Sequence, residues 1–257
     1  MAKGEKEHSA AQTVCDCINE NKCVFYYGMN KEDKIHISNL FNSFVDNPES
    51  SRFPDLLINN GFIEHFEITS SKETKKKGSL HRKNFNAFKE LHNEKVKKLQ
   101  LDTKDGTVTS EFVHKEHSYD NLILSFNKNF TKHIESYKAY SGNAENKLFL
   151  ICYNERTIHT ICEYPDKDLL QKNPDIKEVY NQERHFYDYL LSRDSERLSY
   201  IYNYKDNLDY IIFLNSICCE VIKVESIPDI INNLQFKYLF RHVHVVDVFY
   251  DKKISFF

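Results

Sequence analysis

The stretch 53–79, which reads FPDLLINNGFIEHFEITSSKETKKKGS, constrains the fold of this chain more than any other. Two short apolar segments are separated by Asn59-Asn60-Gly61, and residues of these types tolerate the positive φ angles that tight hairpin turns require. The stretch therefore predicts two adjacent antiparallel strands, over 55–58 and 62–69, with the rest of the chain forming a shell around this hairpin.

Acidic residues lie on both faces of the second predicted strand. Side chains alternate along a strand, so Glu64 and Glu67 point to opposite faces and cannot both reach one site. We expect Glu67 to join Asp55 of the first strand, because apolar residues flank Glu67, as expected for an acid in a central strand. Glu64 is the alternative, since a slip of the strand register by one residue exchanges the two faces.

Apolar residues recur at helical or strand spacing along the rest of the chain. Helical spacing predicts helices over 8–20, 36–45, 85–99, 118–140 and 174–191, and a short helix that begins at Pro228. Apolar runs predict strands over 22–29, 107–113, 147–153, 158–162, 210–215, 220–224 and 242–250. The long helix begun by Ser118 and the fully apolar run 147–153 form a crossover unit. We therefore predict an α/β fold with a mixed central sheet flanked by helices.

The hairpin and the buried run 147–153 are expected at the centre of this sheet. The chain has 257 residues, of which 40% are hydrophobic, so it can bury one substantial core. We divide it into a core domain, 1–155, and a C-terminal α/β extension, 156–257, packed on that core.

Composition favours a reducing compartment without a membrane. The first ten residues, MAKGEKEHSA, are charged and lack the apolar core of a signal peptide. No run approaches the roughly 18 apolar residues that a membrane span requires. Seven cysteines without a CxxC pair are typical of free thiols. We expect a cytoplasmic protein that has no membrane partner.

Positive charge is concentrated just after the hairpin. The net charge of the chain is only −3, whereas the segment 72–98 holds ten Lys and Arg against three Glu, a local net of +7. An exposed face of an amphipathic helix is one interpretation of this segment. The other is a surface that binds phosphate groups, because the lysines directly follow the acidic strand. The candidate nucleic-acid contacts are Lys75, Lys76, Lys77, Arg82 and Lys83.

Carboxylates beside lysines are what metal-dependent hydrolysis of a phosphodiester requires. A cation binds the scissile phosphate and activates water, and Mg²⁺ often takes only one or two carboxylates together with water and phosphate oxygens. Asp55 and Glu67 would supply that minimum as metal ligands, for Mg²⁺ or Mn²⁺. Lys72 is our candidate for the charge that orients the water.

The stretch 53–79 resembles the PD-(D/E)xK, or restriction-endonuclease-like, nuclease superfamily. Pro54-Asp55 matches the first element of its motif, and Glu67-Ile68-Thr69 stands where the acid-x-lysine element is expected. The order of helix, hairpin, long helix and buried strand over residues 8–153 is also similar. The resemblance implies a restriction-endonuclease-like core and a magnesium-dependent endonuclease acting on nucleic acid, in a defence system or a mobile element.

The sequence departs from that motif at the lysine, where Thr69 stands instead. Lysine relocation occurs in the superfamily, so Lys72 or one of the lysines 75–77 is the candidate replacement. The alternative is an inactive protein of the same fold that binds DNA or a protein partner. We expect nucleic acid as the partner, DNA rather than RNA, and leave open a homodimer or a protein partner.

Overall fold

A computed structural model describes most of the chain. The described residues are 4–49, 52–72, 80–101, 106–114, 116–140, 142, 144–163, 167–172, 174–183 and 188–253. The helices are α1 (Glu5–Asn19), α2 (Lys31–Asn42), α3 (Leu80–Leu101), α4 (Tyr119–Lys138), α5 (Lys167–Lys172), α6 (Pro174–Glu183), α7 (Ser195–Tyr202) and α8 (Ile227–Asn232). The strands are β1 (Val24–Tyr27), β2 (Val45–Asp46), β3 (Leu56–Ile58), β4 (Gly61–Glu67), β5 (Gly106–Val113), β6 (Asn146–Tyr153), β7 (Ile158–Cys162), β8 (Tyr210–Asn215), β9 (Cys219–Lys223), β10 (Tyr238–His242) and β11 (Val246–Lys253).

A mixed central sheet contains seven of the described strands, in the order β1-β9-β8-β6-β4-β3-β2. β4, β6 and β8 run parallel to one another, whereas β3 is antiparallel to β4 and β9 is antiparallel to β8. The predicted α/β class and the neighbouring positions of β3, β4 and β6 are confirmed. Strands from both sides of residue 155 belong to this sheet, and the division into two domains at that residue remains a prediction.

Helices cover both faces of the sheet, each over its own apolar core. On one face, Phe126 and Phe130 of α4 pack with Phe62 and Phe66 of β4. On the other face, α1 and α2 pack over Ile63 and the alternate residues of β6 and β8. Successive side chains of β4 therefore enter different cores, as the period of two along a strand requires.

Side-chain caps begin two of the helices that cover the sheet. Ser118 accepts a hydrogen bond from the backbone N–H of Asn121 at the start of α4, which confirms its predicted role. Asn30 and Asp33 form a reciprocal capping box at the start of α2. Each cap satisfies a backbone N–H that has no partner within its helix, so the ends of both helices are well defined.

A helix and a two-stranded ribbon form a separate unit, which we call the arm. β5 and β11 pair antiparallel over eight residues each, and α3 packs on one face of this ribbon. Phe85 and Phe88 of α3 contact Phe112 of β5 and Phe249 of β11, with ring centroids 5.1–5.9 Å apart. The arm therefore has a small aromatic core of its own.

The prediction of a single last strand over 242–250 is wrong. The chain passes from β10, which pairs with β7, to β11, which pairs with β5. At the crossing, the backbone N–H of Val243 donates to Thr157, and the backbone N–H of His114 donates to Val245. The sequence pattern did not indicate this change of partner, because both halves of 242–250 have strand-like patterns.

Two findings bear on the expected environment of the chain. All seven cysteines are free thiols. No helix in the described part of the chain is long and apolar enough to cross a membrane.

Candidate active site

The register of the hairpin places Asp55 beside Glu64. Leu56 pairs with Ile63, so the residue before β3 lies across from Glu64 of β4. The backbone N–H of Asp55 donates to Glu64 Oε2 at 3.0 Å. In return, the backbone N–H of His65 donates to Asp55 Oδ2 at 2.9 Å. Each carboxyl group is therefore held by the backbone next to the other.

α4 adds a histidine to this pair. Nδ1 of His133 lies 2.5 Å from Oε1 of Glu64, and the imidazole ring stacks on Phe66 with centroids 4.8 Å apart. The residue follows Phe130 by three positions along α4, which brings it to the edge of the face that packs on the sheet. Its partner Glu64 is buried, with 5% of its surface exposed.

Burial sets the protonation of these groups. It raises the pKa of Asp55 to about 7, with further contributions from the nearby charges of Glu64 and Glu7. Burial also raises the pKa of Glu64 to about 7, against hydrogen bonding from Asp55 and the positive charge of Lys132. Burial and Lys132 lower the pKa of His133 to about 4. Near neutral pH, the two carboxyl groups are therefore partly protonated, whereas His133 is uncharged.

A cavity of about 370 Å³ opens beside Asp55. Its walls include Glu7 and His8 from the first turns of α1, and Asp46 from β2. Glu7 also acts on the pKa of both carboxyl groups of the pair, so its charge adds to the acidic potential at this point. The cavity gives Asp55 access to solvent and to a cation.

The structure brings Asp55 together with Glu64 and not with Glu67, the predicted metal ligand. Glu67 is on the opposite face of β4 and forms an exposed ion pair with Lys6 of α1, at 3.2 Å. The flanking apolar residues did not distinguish the two acids, because Phe66 and Ile68 point to the face of α4 and Glu67 does not. The alternative ligand Glu64 occupies the paired position without any slip of the register.

Lys72 lies beyond the end of β4 and is not part of the pairing that brings Asp55 beside Glu64. It is exposed, it follows Glu64 by eight residues, and its neighbour Ser71 forms a bridge with His117. Lys75, Lys76 and Lys77 lie outside the described residues, as does the side chain of Arg82. Lys83 is exposed on α3.

Thr69, which stands where the motif has lysine, belongs to a buried network instead. Its hydroxyl donates to Glu155, which also accepts hydrogen bonds from the backbone and the hydroxyl of Ser70, both at 2.7 Å. His117 Nδ1 lies 2.8 Å from Ser70 Oγ. Burial opposes ionisation of Glu155, yet hydrogen bonds from His117, Thr69 and Ser70 outweigh it and lower its pKa. Ser70 has no exposed surface, so this network joins β4 to the segment after β6 and offers no access to a substrate.

The donor set at Asp55 and Glu64 fits a small divalent cation. Carboxylate oxygens are the ligands that Mg²⁺ and Mn²⁺ prefer, and Mg²⁺ retains several water molecules. Among the residues that the structure describes, no group of three or more His, Cys, Asp or Glu is arranged to hold a metal ion. A cation here would therefore be held by the two carboxylates and completed by water and substrate oxygens.

Sequence reasoning missed the helical residues of the site. His133 and Lys132 come from α4, and Glu7 comes from α1. One signal could have found His133, since it lies within the apolar stripe of α4 between Phe130 and Ile134. No local pattern marks Glu7, which is one of several charged residues near the start of the chain.

Comparisons of the chain with models of known protein families, with curated proteins and with solved structures gave no match.

Proposed function

We propose that this protein is a metal-dependent nuclease whose centre is the carboxyl pair Asp55 and Glu64, in a core of the restriction-endonuclease-like type. The observation that carries the proposal is the mutual placement of the half-buried Asp55 and the buried Glu64 across adjacent strands, beside an acidic cavity. Two such neighbouring acids repel each other when both are ionised, and a divalent cation would remove that repulsion.

Asp55 and Glu64 would hold the cation, which when bound polarises a phosphodiester and lowers the pKa of water. The protein contributes the orientation of both ligands. The backbone N–H of His65 holds Asp55, while His133 and the backbone N–H of Asp55 hold Glu64. Such outer contacts keep carboxylates in the position that a metal ligand needs.

Protons and cations would compete for the carboxyl pair. Because the pKa of each acid is near 7, the pair holds protons at pH 6 that a cation must displace. Cation affinity should therefore rise between pH 6 and pH 8. The positive charge of Lys132, which acts on Glu64, is the described candidate for the role that a strand lysine has in the motif.

α3 supports nucleic acid as the substrate, with DNA as the proposed type. Its exposed side carries Lys89, Lys95, Lys97 and Lys98, while the aromatic side packs on the ribbon. A helix that presents lysines to solvent can bind the phosphate backbone without reading its sequence.

A second candidate function is binding without cleavage, to DNA, to a protein or to another copy of the chain. The observation that favours it is the residue two positions after Glu64, where the motif would place lysine. This residue is Phe66, which is buried and stacks on His133. If the charge of Lys132 on α4 does not replace that lysine, the site retains its ligands and lacks the group that stabilises the transition state.

The test compares Asp55→Asn and Glu64→Gln with Glu67→Gln, a matched control three residues along the same strand and on the opposite face. Cleavage of plasmid, single-stranded DNA and RNA would be measured with Mg²⁺, with Mn²⁺ and with chelator. Loss of a ligand removes several kcal/mol of transition-state stabilisation. We expect the rate to fall by about 100-fold or more for Asp55→Asn and Glu64→Gln, and to change little for Glu67→Gln.

A second measurement separates an inactive protein from an incorrect site. Mn²⁺ should raise the melting temperature of the wild type and of Glu67→Gln, and should not raise it for Asp55→Asn or Glu64→Gln. Cleavage that survives in chelator or in Asp55→Asn would refute the proposed site. Cation binding without cleavage of any substrate would support the binding module.

A further inference from the structure

A second cavity, of about 480 Å³, lies between the start of α4, the start of α7 and the segment that forms β10. This volume is within the range of small-molecule sites. Tyr119 of this cavity and His133 of the carboxyl site are fourteen residues apart on α4. At 1.5 Å per residue, they are separated by about 21 Å along the helix, so the two sites are distinct.

Aromatic rings form one wall of this cavity. Phe236, Tyr238 and Phe240 alternate along the chain and are all half-buried. Phe240 stacks on Tyr119 with centroids 4.8 Å apart, and both rings pack against the main core. Tyr238 and Phe240 of β10, together with Phe236 just before the strand, provide apolar ring surface for a flat ligand.

Cationic side chains surround the wall. The guanidinium of Arg193 lies over the ring of Tyr238, 5.3 Å from its centroid. Lys237 and Arg241 are exposed and line the rim, where Lys237 also forms an ion pair with Glu163 at 3.2 Å. Positive charge beside stacking surfaces is the combination that binds nucleotides: the base stacks and the phosphate is attracted.

Two acidic residues, Asp194 and Glu196, also line the cavity, and each contacts other groups of the protein. Asp194 is buried, and its carboxylate accepts hydrogen bonds from Tyr119, Tyr189 and the backbone N–H of Arg197. It therefore caps α7 and anchors the wall from behind. Glu196 is exposed, with its carboxylate 3.5 Å from the guanidinium of Arg197.

We infer that this cavity binds a nucleotide, with the base against Tyr238 and Phe236 and the phosphate near Arg193. The nucleotide is either free or one unit of a single strand, since the bases of a duplex are stacked on each other and cannot enter. The choice of a nucleotide, rather than another flat anion, rests on the proposed function. The cavity and its contacts are independent of that proposal.

The test measures binding in chelator, so that cleavage plays no part. The probes are a fluorescein-labelled ten-residue deoxyadenosine oligonucleotide, followed by fluorescence anisotropy, and AMP as the competitor. Tyr238→Ala should weaken oligonucleotide binding by about 5- to 150-fold, as the loss of one base–aromatic stack does. Tyr250→Ala, which removes an exposed tyrosine from the arm, should leave binding unchanged.

A second pair of variants covers the case in which Tyr238→Ala fails to fold. Ser195 is exposed, lines the cavity and is the first residue of α7, where an added glutamate favours the helix. Ser195→Glu should weaken binding by repelling phosphate, whereas Ser199→Glu, one turn further on and outside the lining, should have a smaller effect. Thermal melts would verify that each variant folds.

Each outcome decides the inference. Binding of the oligonucleotide that Tyr238→Ala and Ser195→Glu weaken supports a site for a single strand, and the same sensitivity seen with AMP alone supports a site for a free nucleotide. No binding of either probe at millimolar concentration, or binding that neither variant changes, overturns it. Absence of cleavage by the wild type, with intact oligonucleotide binding, would contradict the nuclease and leave this inference standing, so the two proposals fail separately.

Discussion

Among single residues, Asp55 and Glu64 show a conflict between stability and site chemistry. Glu64 is buried and Asp55 half-buried, each next to another acid, which disfavours its ionised form, and each accepts a backbone hydrogen bond that partly offsets this cost. An ordinary structural acid would be better placed in solvent, as Glu67 is. Groups that destabilise a fold at neutral pH are characteristic of functional sites.

The first residue-scale prediction concerns the dependence of stability on pH. The pKa of both acids is higher in the folded chain, about 7, than the ordinary values of 3.8 and 4.5. Between about pH 4 and pH 7 the folded state therefore binds more protons than the unfolded state, and the free energy of unfolding falls as the pH rises. Asp55→Asn and Glu64→Gln should remove part of this slope and stabilise the protein at pH 8 by on the order of 2 kcal/mol.

Urea unfolding at pH 5 and pH 8 measures this effect. Glu67→Gln is again the control, because it removes an exposed ion pair, and such pairs contribute about 1 kcal/mol or less. A wild type that is more stable at pH 7 than at pH 5, with no gain in the two amide variants at pH 8, would contradict the assignment of raised pKa values.

At the scale of elements, α4 connects three parts of the molecule. Its N-terminal end borders the second cavity, its apolar stripe covers the central sheet, and His133 reaches the carboxyl pair. Ser118 begins the helix with its side-chain cap, and its backbone N–H also donates to Ser70 at the end of the hairpin. The position of the first turn is therefore set by both a local and a long-range contact.

The element-scale prediction concerns this cap. Ser118→Ala should lower the free energy of unfolding by about 1 kcal/mol, because the backbone N–H of Asn121 loses its acceptor. Ser136→Ala is the matched control on the same helix: its hydroxyl donates to the carbonyl of Lys132, a group that the helix already uses, so the expected change is near zero or slightly stabilising. Urea unfolding of both variants distinguishes them, and equal effects would refute the role of the cap.

For the whole molecule, the arm and the central sheet differ in how they are stabilised. The sheet has apolar cores on both faces, whereas the ribbon has α3 on one face and exposed Val248 and Tyr250 on the other. A two-stranded ribbon is only marginally stable alone. We therefore expect the arm to open at a lower free energy than the sheet.

Hydrogen exchange tests this expectation. Phe112→Ala removes the ring at the centre of the small aromatic core, and should accelerate exchange of amides in α3, β5 and β11 more than tenfold with little change in β4, β6 and β8. Phe130→Ala, in the main core, should instead accelerate exchange throughout the sheet. Equal acceleration of arm and sheet by Phe112→Ala would show that the two open as one unit.

Local patterns in the sequence were sufficient to predict most elements of the fold. The Asn59-Asn60-Gly61 turn, the cap at Ser118 and the apolar run 147–153 act through neighbours along the chain, and the structure has each of them as expected. The opposite faces of Glu64 and Glu67 also followed from the alternation of a strand.

Only the tertiary structure decided the site and the partners of the strands. The choice between Glu64 and Glu67 depended on the pairing of β3 with β4, and on α4 bringing His133 to one face and α1 bringing Lys6 to the other. The split between β10 and β11 depended on partners 76 to 147 residues away. Contacts between residues far apart in sequence, and the burial that raises the pKa of Asp55 and Glu64, arise only when separate elements pack together, so no local pattern encodes them.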